Sequence, residues 1–191
     1  MKNIFDLKDD FAVITGGAGL LGYQHARALL KSNAIVELWD VNIEKLIQTS
    51  DLLHTEFQNG RIFYQRVDIT DESQIVSAIQ NIVKNNQHIS ILVNNAALNP
   101  KFTGVQSNSR FESYSRELWD FEISVGLTGA MLCSKHIGVQ MQARGKGVIL
   151  NIASDLSVIA PDQRIYKTKN LDGIQQFVKP VSYSVVKTGL I

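Results

Sequence analysis

The sequence predicts an α/β protein with a doubly wound parallel sheet, Rossmann-like and three layers deep. Three observations predict it. Apolar runs of strand length alternate with longer segments whose apolar residues recur at helical spacing. Those runs are nearly continuous in apolar residues, as strands covered on both faces must be. A glycine-rich turn also separates the first run from the first helical segment.

The elements follow in order. Residues 11–15 read as a buried strand and 20–31 as a helix. Residues 34–39 form a second strand, and 43–58 a second helix. A third strand covers 61–67. The helix after it, 73–85, lines up Ile75, Ile79, Ile82 and Val83. Residues 89–93 are a fourth strand; after a polar loop a long helix runs from about 114 to 143, and 147–152 form a fifth strand. Pro100, Pro161 and Pro180 fall in predicted loops, where a missing N–H costs no ladder bond.

A chain of 191 residues is long enough for one sizeable core, so residues 1–191 are expected to form a single domain. The net charge of +1 gives no reason to expect a nucleic-acid or membrane partner. Cys133 is the only cysteine, which excludes an internal disulfide and suits a reducing cytoplasm. The first ten residues lack the apolar core of a signal peptide, and no apolar run approaches the roughly 20 residues that span a bilayer. His25, His54, His88 and His136 are scattered, and no metal-ligand spacing is present.

The turn from Thr15 through Gly16, Gly17, Ala18, Gly19, Leu20 and Leu21 to Gly22 lies where a dinucleotide pyrophosphate would sit. Glycines there permit a tight turn and close backbone approach to phosphate, and the helix beyond offers unpaired N–H groups. Asp40 ends the second strand, where a carboxylate can accept from ribose hydroxyls and repel a 2′-phosphate. No Arg or Lys stands in the glycine turn, so NAD is expected rather than NADP. The alternative for Asp40 is a turn or helix-capping role. Near the C-terminal end, Tyr183 precedes Lys187 by four residues, which puts both on one helix face. A lysine cation beside a phenol favours the phenolate, so such a pair can exchange protons.

These features in this order resemble the short-chain dehydrogenase/reductase family, along essentially the whole chain. Asp68, with Val67 and Ile69 around it, is similar to the family segment whose aspartate contacts adenine. Asn94, Asn95, Ala96 and Ala97 are similar to its Asn-Asn-Ala-Gly signature, which steadies the sheet and lines the cofactor site. Ser154 falls where the family carries its catalytic serine, and Tyr183 and Lys187 fall on its Tyr-x-x-x-Lys motif. Tyr166 is no rival, because Asn170 holds the position four residues on. The resemblance implies hydride transfer between NAD(H) and a small-molecule alcohol or carbonyl substrate in a homodimer or homotetramer. Ser154, Tyr183 and Lys187 would be catalytic. The cofactor would meet Gly16, Gly19, Leu20, Leu21, Gly22, Asp40, Asp68, Ile69, Asn95, Ala96, Ala97, Tyr183 and Lys187. Ser154 could instead cap a turn, and Tyr183 could pack in a core.

Three departures stand out. The spacing of Gly16, Gly19 and Gly22 is closer to the family's extended members. Gly126 takes the place of an asparagine that, in the family, helps connect the lysine to solvent through water, which puts the proton relay in question. Family chains also continue well past the lysine. The expectation is therefore that 191 residues alone lack the last strands and substrate lid, are inactive and poorly soluble, and leave 155–191 mobile; the alternative is a piece of a longer, ordinary enzyme. Between Ser154 and Tyr183 the chain is longer than the family's usual connection. Residues 155–180 hold Asp162, Gln163, Arg164, Lys167, Lys169 and Asp172, too polar for a core. They read either as a solvated loop or as a substrate-side insert whose Arg164 and lysines meet an anionic group. Comparable inserts in the family imply a sugar or sugar-derived substrate. The reading from another class is a non-catalytic NAD-binding protein.

Overall fold

Every residue of β1 (Phe11–Thr15) is buried, so its apolar run meets cover on both faces. The structure, a computed structural model, describes residues 5–85, 87–98, 109–171 and 173–191; Pro100 and Asp172 lie outside them. The chain divides into two compact units, one of Met1–Ala96 with Gly129–Asn151 and one of Ala97–Thr128 with Ile152–Ile191.

The first unit holds the sheet. Its other strands are β2 (Ile35–Asp40), β3 (Ile62–Arg66), β4 (Ile89–Asn94) and β5 (Val148–Asn151). The order is β3-β2-β1-β4-β5, and every pairing is parallel. Parallel neighbours need crossovers, which the helices supply. α1 (Leu20–Lys31) packs against α2 (Ile43–Glu56), and α3 (Glu72–Lys84) packs against α5 (Gly129–Arg144), giving helix, sheet and helix layers. Asn42 and Asp71 start α2 and α3 by accepting from the backbone N–H of Lys45 and Ser73. Ile75, Ile79 and Ile82 of α3 meet Ile137 and Cys133 of α5 in the core, under Val13, Trp39 and Leu92. Val83 lies outside that stripe and is exposed. Burial pushes the Cys133 thiol up to about 12, which leaves it a packing group rather than a nucleophile.

β1 is followed in space by β2 on one side and by β4 on the other. The order of the sheet therefore reverses beside β1, and ligands of such sheets bind outside the strand ends at that point. The glycine turn leaves the carboxyl end of β1, and Asn95 and Ala96 leave the carboxyl end of β4.

Among its described residues the second unit carries α4 (Arg116–Ile123), a π turn (Ser124–Thr128), four 3₁₀ turns and α6 (Val181–Gly189). The long helix expected over 114–143 is thus α4, the π turn and α5 in succession. Gly126 and Gly129 mark the interruption. Each is approached so closely, by Val186 and Ile69 respectively, that a Cβ would lie under 3 Å from a side-chain carbon.

Candidate active site

In the first unit, side chains and amides around the glycine turn hold it in shape. Gly16 has φ of +62°, and a Cβ there would stand 2.9 Å from Ala96 Cα. Gly22 packs its Cα against the same turn; a Cβ would lie 2.4 Å from the Gly16 carbonyl oxygen. α1 begins at Gly19 with no side-chain cap, so its first amides face outward without competition. Leu20 and Leu21 on that first turn are exposed, at 82% and 53%.

Asp40 bonds the turn directly. Its Oδ2 accepts from Ala18 N at 3.2 Å and its Oδ1 from Asn42 N at 3.0 Å. The turn role is therefore present: the carboxylate is fixed beside the glycines by its backbone contacts. Asn95 works similarly, its Nδ2 donating to the carbonyls of Thr15 and Gly16. The Thr15 hydroxyl accepts from the amides of Asn95 and Ala96, tying β1 to β4. Asn94 donates to Ser134 and to Asn151, which ties β4 to α5 and β5. Asp68 Oδ1 accepts from Thr70 N and Oγ1, closing a short turn, while the Ile69 side chain is buried against Gly129. Ile69 can offer a ligand only its backbone. Thr15 and Gly17 belong to the turn but were not among the expected cofactor contacts; a Cβ on Gly17 would lie 2.8 Å from Leu38 Cβ.

The second unit brings Ser154, Tyr183 and Lys187 onto packed elements. The Ser154 hydroxyl accepts from Leu156 N at 3.2 Å and donates to Asp155 at 2.9 Å, capping the 3₁₀ turn Asp155–Ser157. That turn packs on α6, and Thr188 Oγ1 donates to the Ser157 carbonyl at 2.8 Å. Lys187 is 4% exposed, and its ammonium donates to the Ile152 carbonyl at 2.5 Å. It stands 5.9 Å from the centre of the Tyr183 ring. Burial holds the Lys187 ammonium below the ordinary lysine range, and the Lys179 cation pushes the same way. Tyr183, Lys187, Ala97 and Glu122 line one narrow crevice.

Lys179 is the residue that sequence reasoning passed over. Its ammonium lies 3.6 Å from the Tyr183 ring centre, closer than that of Lys187. The signal was present, since Lys179 precedes Tyr183 by the same four residues that separate Tyr183 from Lys187. Arg164, an anion ligand in one of the two readings of the insert, is exposed and paired with Asp162 at 2.7 Å. Tyr114 donates to Glu122 at 2.5 Å. Burial, with Glu122 beside it, pushes its phenol up to about 12, so it remains a proton donor to Glu122.

Gly126 has a packing reason. A Cβ there would stand 2.5 Å from Val186 Cγ1 on α6, so an asparagine cannot enter unless the Val186 side chain or α6 gives way. We expect Gly126→Asn to cost about 1–3 kcal/mol as overpacking, read as a lower urea midpoint. Adding Val186→Ala should recover part of it; an unchanged midpoint in Gly126→Asn would show the contact to be soft.

Comparison with known proteins bears on the family and the fold. The profile described as short chain dehydrogenase matches residues 10–179. The chain is 37% identical over 144 residues to the short chain dehydrogenase/reductase dpfgG of Gibberella zeae, covering 74% of this chain and 50% of that protein. It is 32% identical over 161 residues to an NAD-dependent glycerol dehydrogenase of Listeria innocua, covering 84% and 59%. The chain therefore spans between half and two thirds of the length of these relatives. The solved structure of an NAD+-bound xylitol dehydrogenase superposes with a TM-score of 0.78 at 21% identity, over 98% of this chain and 62% of that one, which speaks to the fold. With the family profile running from residue 10 to 179, through the glycine turn and the whole of a Rossmann-like sheet, the chain belongs to the short chain dehydrogenase family.

Proposed function

We propose that the protein is an NAD-dependent oxidoreductase acting on a small alcohol or carbonyl compound, with sugar-derived substrates the narrower expectation. The observation that carries this reading is the buried Lys187 ammonium, fixed by the Ile152 carbonyl on the helix face of Tyr183. A bound nicotinamide would accept hydride from the alcohol carbon, or return it to a carbonyl.

The residues of this chain divide the remaining work. The uncapped start of α1 and the glycines Gly16, Gly19 and Gly22 offer amides and open backbone to a pyrophosphate, a fit that side chains would destroy. Asp40 faces the ribose, with Asp68 and the Ile69 backbone toward adenine, and Asn95, Ala96 and Ala97 toward the nicotinamide half. In the oxidation direction Tyr183 takes the proton from the substrate hydroxyl, and in reduction it gives one back. Ser154 hydrogen-bonds the reacting oxygen once its hydroxyl turns from Asp155, and Lys187 keeps positive charge by the phenol and bonds the ribose. We place the enzyme in the cytoplasm as a homodimer or homotetramer, with residues 1–191 acting as one catalytic domain and 155–180 as its substrate-side insert. Among the described residues, no helix is long and apolar enough to cross a membrane.

The test is NADH absorbance with a panel of alcohols and ketones presented to the intact protein. The second reading, NAD binding without catalysis, takes its support from Ser154, whose hydroxyl is spent locally on Leu156 and Asp155. Absence of turnover across the panel, with NAD still bound, would select it.

Cofactor choice has its own check. A 2′-phosphate would bring negative charge onto Asp40, so NAD should bind more tightly than NADP. Asp40→Ala should narrow the gap, and should also weaken NAD because Ala18 N loses its acceptor. Equal affinities of NAD and NADP for the unmutated protein, by calorimetric titration, would sink the assignment.

A further inference from the structure

Tyr183 stands in the first turn of α6, and that turn lacks a cap of its own. Pro180 holds the N-cap position without a side-chain hydrogen bond to the helix. Helix ends fray, so a side chain placed there is held only as well as contacts from other elements allow. Two sets of contacts meet this turn from outside. Ser182, fully buried, donates its hydroxyl to Glu122 of α4, which also accepts from Tyr114. The other set comes from the insert. Lys179, immediately before Pro180, donates its N–H to Gln163 Oε1 at 2.8 Å, and Gln163 Nε2 donates to the Lys179 carbonyl at 3.2 Å. The 3₁₀ turn Gln163–Tyr166, begun where Asp162 accepts from Arg164 N, presents Gln163 to the start of α6.

This two-bond clamp fixes where the Lys179 side chain starts, and the side chain ends on Tyr183. Lys179 is 8% exposed, and its ammonium lies over the Tyr183 ring at 3.6 Å from the centre, against 5.9 Å for Lys187. The face of an aromatic ring attracts a cation, and more strongly when the cation is withdrawn from water. Glu122 attracts the same ammonium. An ammonium carries three donors, so the ring contact is compatible with other bonds that Lys179 makes. The ring is thus gripped on its face by a side chain whose backbone the insert holds.

We propose that Lys179 and Gln163 are positioning residues for Tyr183: Gln163 anchors Lys179, and Lys179, laid over the ring, holds the phenol at the angle from which it exchanges a proton with the substrate. The inference rests on the oxidoreductase reading and gives the insert a part in it. A group that transfers a proton must stand within hydrogen-bond reach of the reacting oxygen, and an uncapped helix start does not guarantee that by itself. Neither residue touches the reacting atoms in this role; both act through the ring of Tyr183.

The test is steady-state kinetics of the intact protein with NAD and whichever alcohol or ketone of the panel it turns over fastest. Lys179→Met keeps a chain of similar length without the charge. It should lower kcat by about tenfold or more, since misplacing a reacting group by 1 Å can cost about 10²-fold. Substrate KM, and NAD affinity by calorimetry, should change by less than about threefold, because the angle of the phenol matters in the transition state. Lys179→Arg should keep more of kcat than Lys179→Met, as a guanidinium also stacks on a ring. Gln163→Ala should lower kcat by roughly three- to tenfold. Because Gln163 acts through Lys179, the double variant should be no slower than Lys179→Met alone. Losses that multiply in the double variant, a loss confined to KM, or an undiminished kcat in Lys179→Met would each overturn the proposal. Should Lys179→Met fail to fold, the exposed Gln163 decides, since full kcat in Gln163→Ala overturns it and the expected loss supports it. An unmutated protein without turnover across the panel overturns the oxidoreductase reading and this role with it, whereas turnover indifferent to both residues overturns this role alone.

Discussion

Tyr183→Phe is expected to lower turnover by about 10²–10⁴-fold, the range that a positioned acid/base supplies, with NAD affinity nearly unchanged. The substitution removes one oxygen and little else. Phenylalanine keeps the ring that Lys179 approaches to 3.6 Å, and α6 keeps its contacts with α4 and the Asp155–Ser157 turn. Lys187 keeps its bond to the Ile152 carbonyl, so the helix face should not move. Steady-state kinetics of the intact protein give the loss in kcat, and calorimetry gives the cofactor affinity. The loss should appear in kcat and kcat/KM alike, because the interaction removed is one made in the transition state. Retention of more than about a tenth of the activity would require another acid/base. Tyr114 would not qualify, since burial and Glu122 push its phenol up to about 12.

The sheet was legible because its strands are simple. β1 and β2 are buried runs with no polar side chain except Glu37 and their terminal Thr15 and Asp40, and the helix bounds of α1 came directly from apolar spacing. The glycine turn was legible as a motif, but the reason for each glycine was not. Gly17 owes its absence of a side chain to Leu38 on β2, and no local pattern announces a contact across strands. The long helix was read as unbroken for the same reason: the π turn lies where Gly126 and Gly129 come close to Val186 and Ile69, both distant in sequence. At the site, spacing alone paired Tyr183 with Lys187, as helix geometry dictates. Lys179 shares that spacing but sits before α6 begins, and its burial depends on the Gln163 clamp, which lies sixteen residues away. Ser154 was assigned by its position in a motif; that its hydroxyl also caps a turn is a matter of where Asp155 and Leu156 fold.

Glu37 should make the stability of the first unit fall as pH rises from about 4.5 through about 7. It sits in the middle of β2, opposite Val13 of β1 and Phe63 of β3, and is 7% exposed. Burial lifts its carboxyl from 4.5 to about 7, against the opposing effect of the Trp39 indole, which donates to Oε1 at 2.9 Å. Below the unfolded value both states hold the proton, and the folded state bears no buried charge. Between the two values the folded protein keeps a proton that the unfolded chain has released, so stability declines with pH across that window. Above about 7 the folded carboxyl ionises too, and the loss levels off at about 3 kcal/mol. Glu37→Gln retains an acceptor for the indole and cannot ionise, so its stability should lack this component. Urea midpoints of both proteins, measured from pH 5 to pH 8, give the difference directly, with every other titrating group common to both. The gap should move in favour of Glu37→Gln as pH rises, by roughly 3 kcal/mol in all. A gap that stays constant with pH would mean that water or a shift of β2 solvates the carboxylate in the folded state.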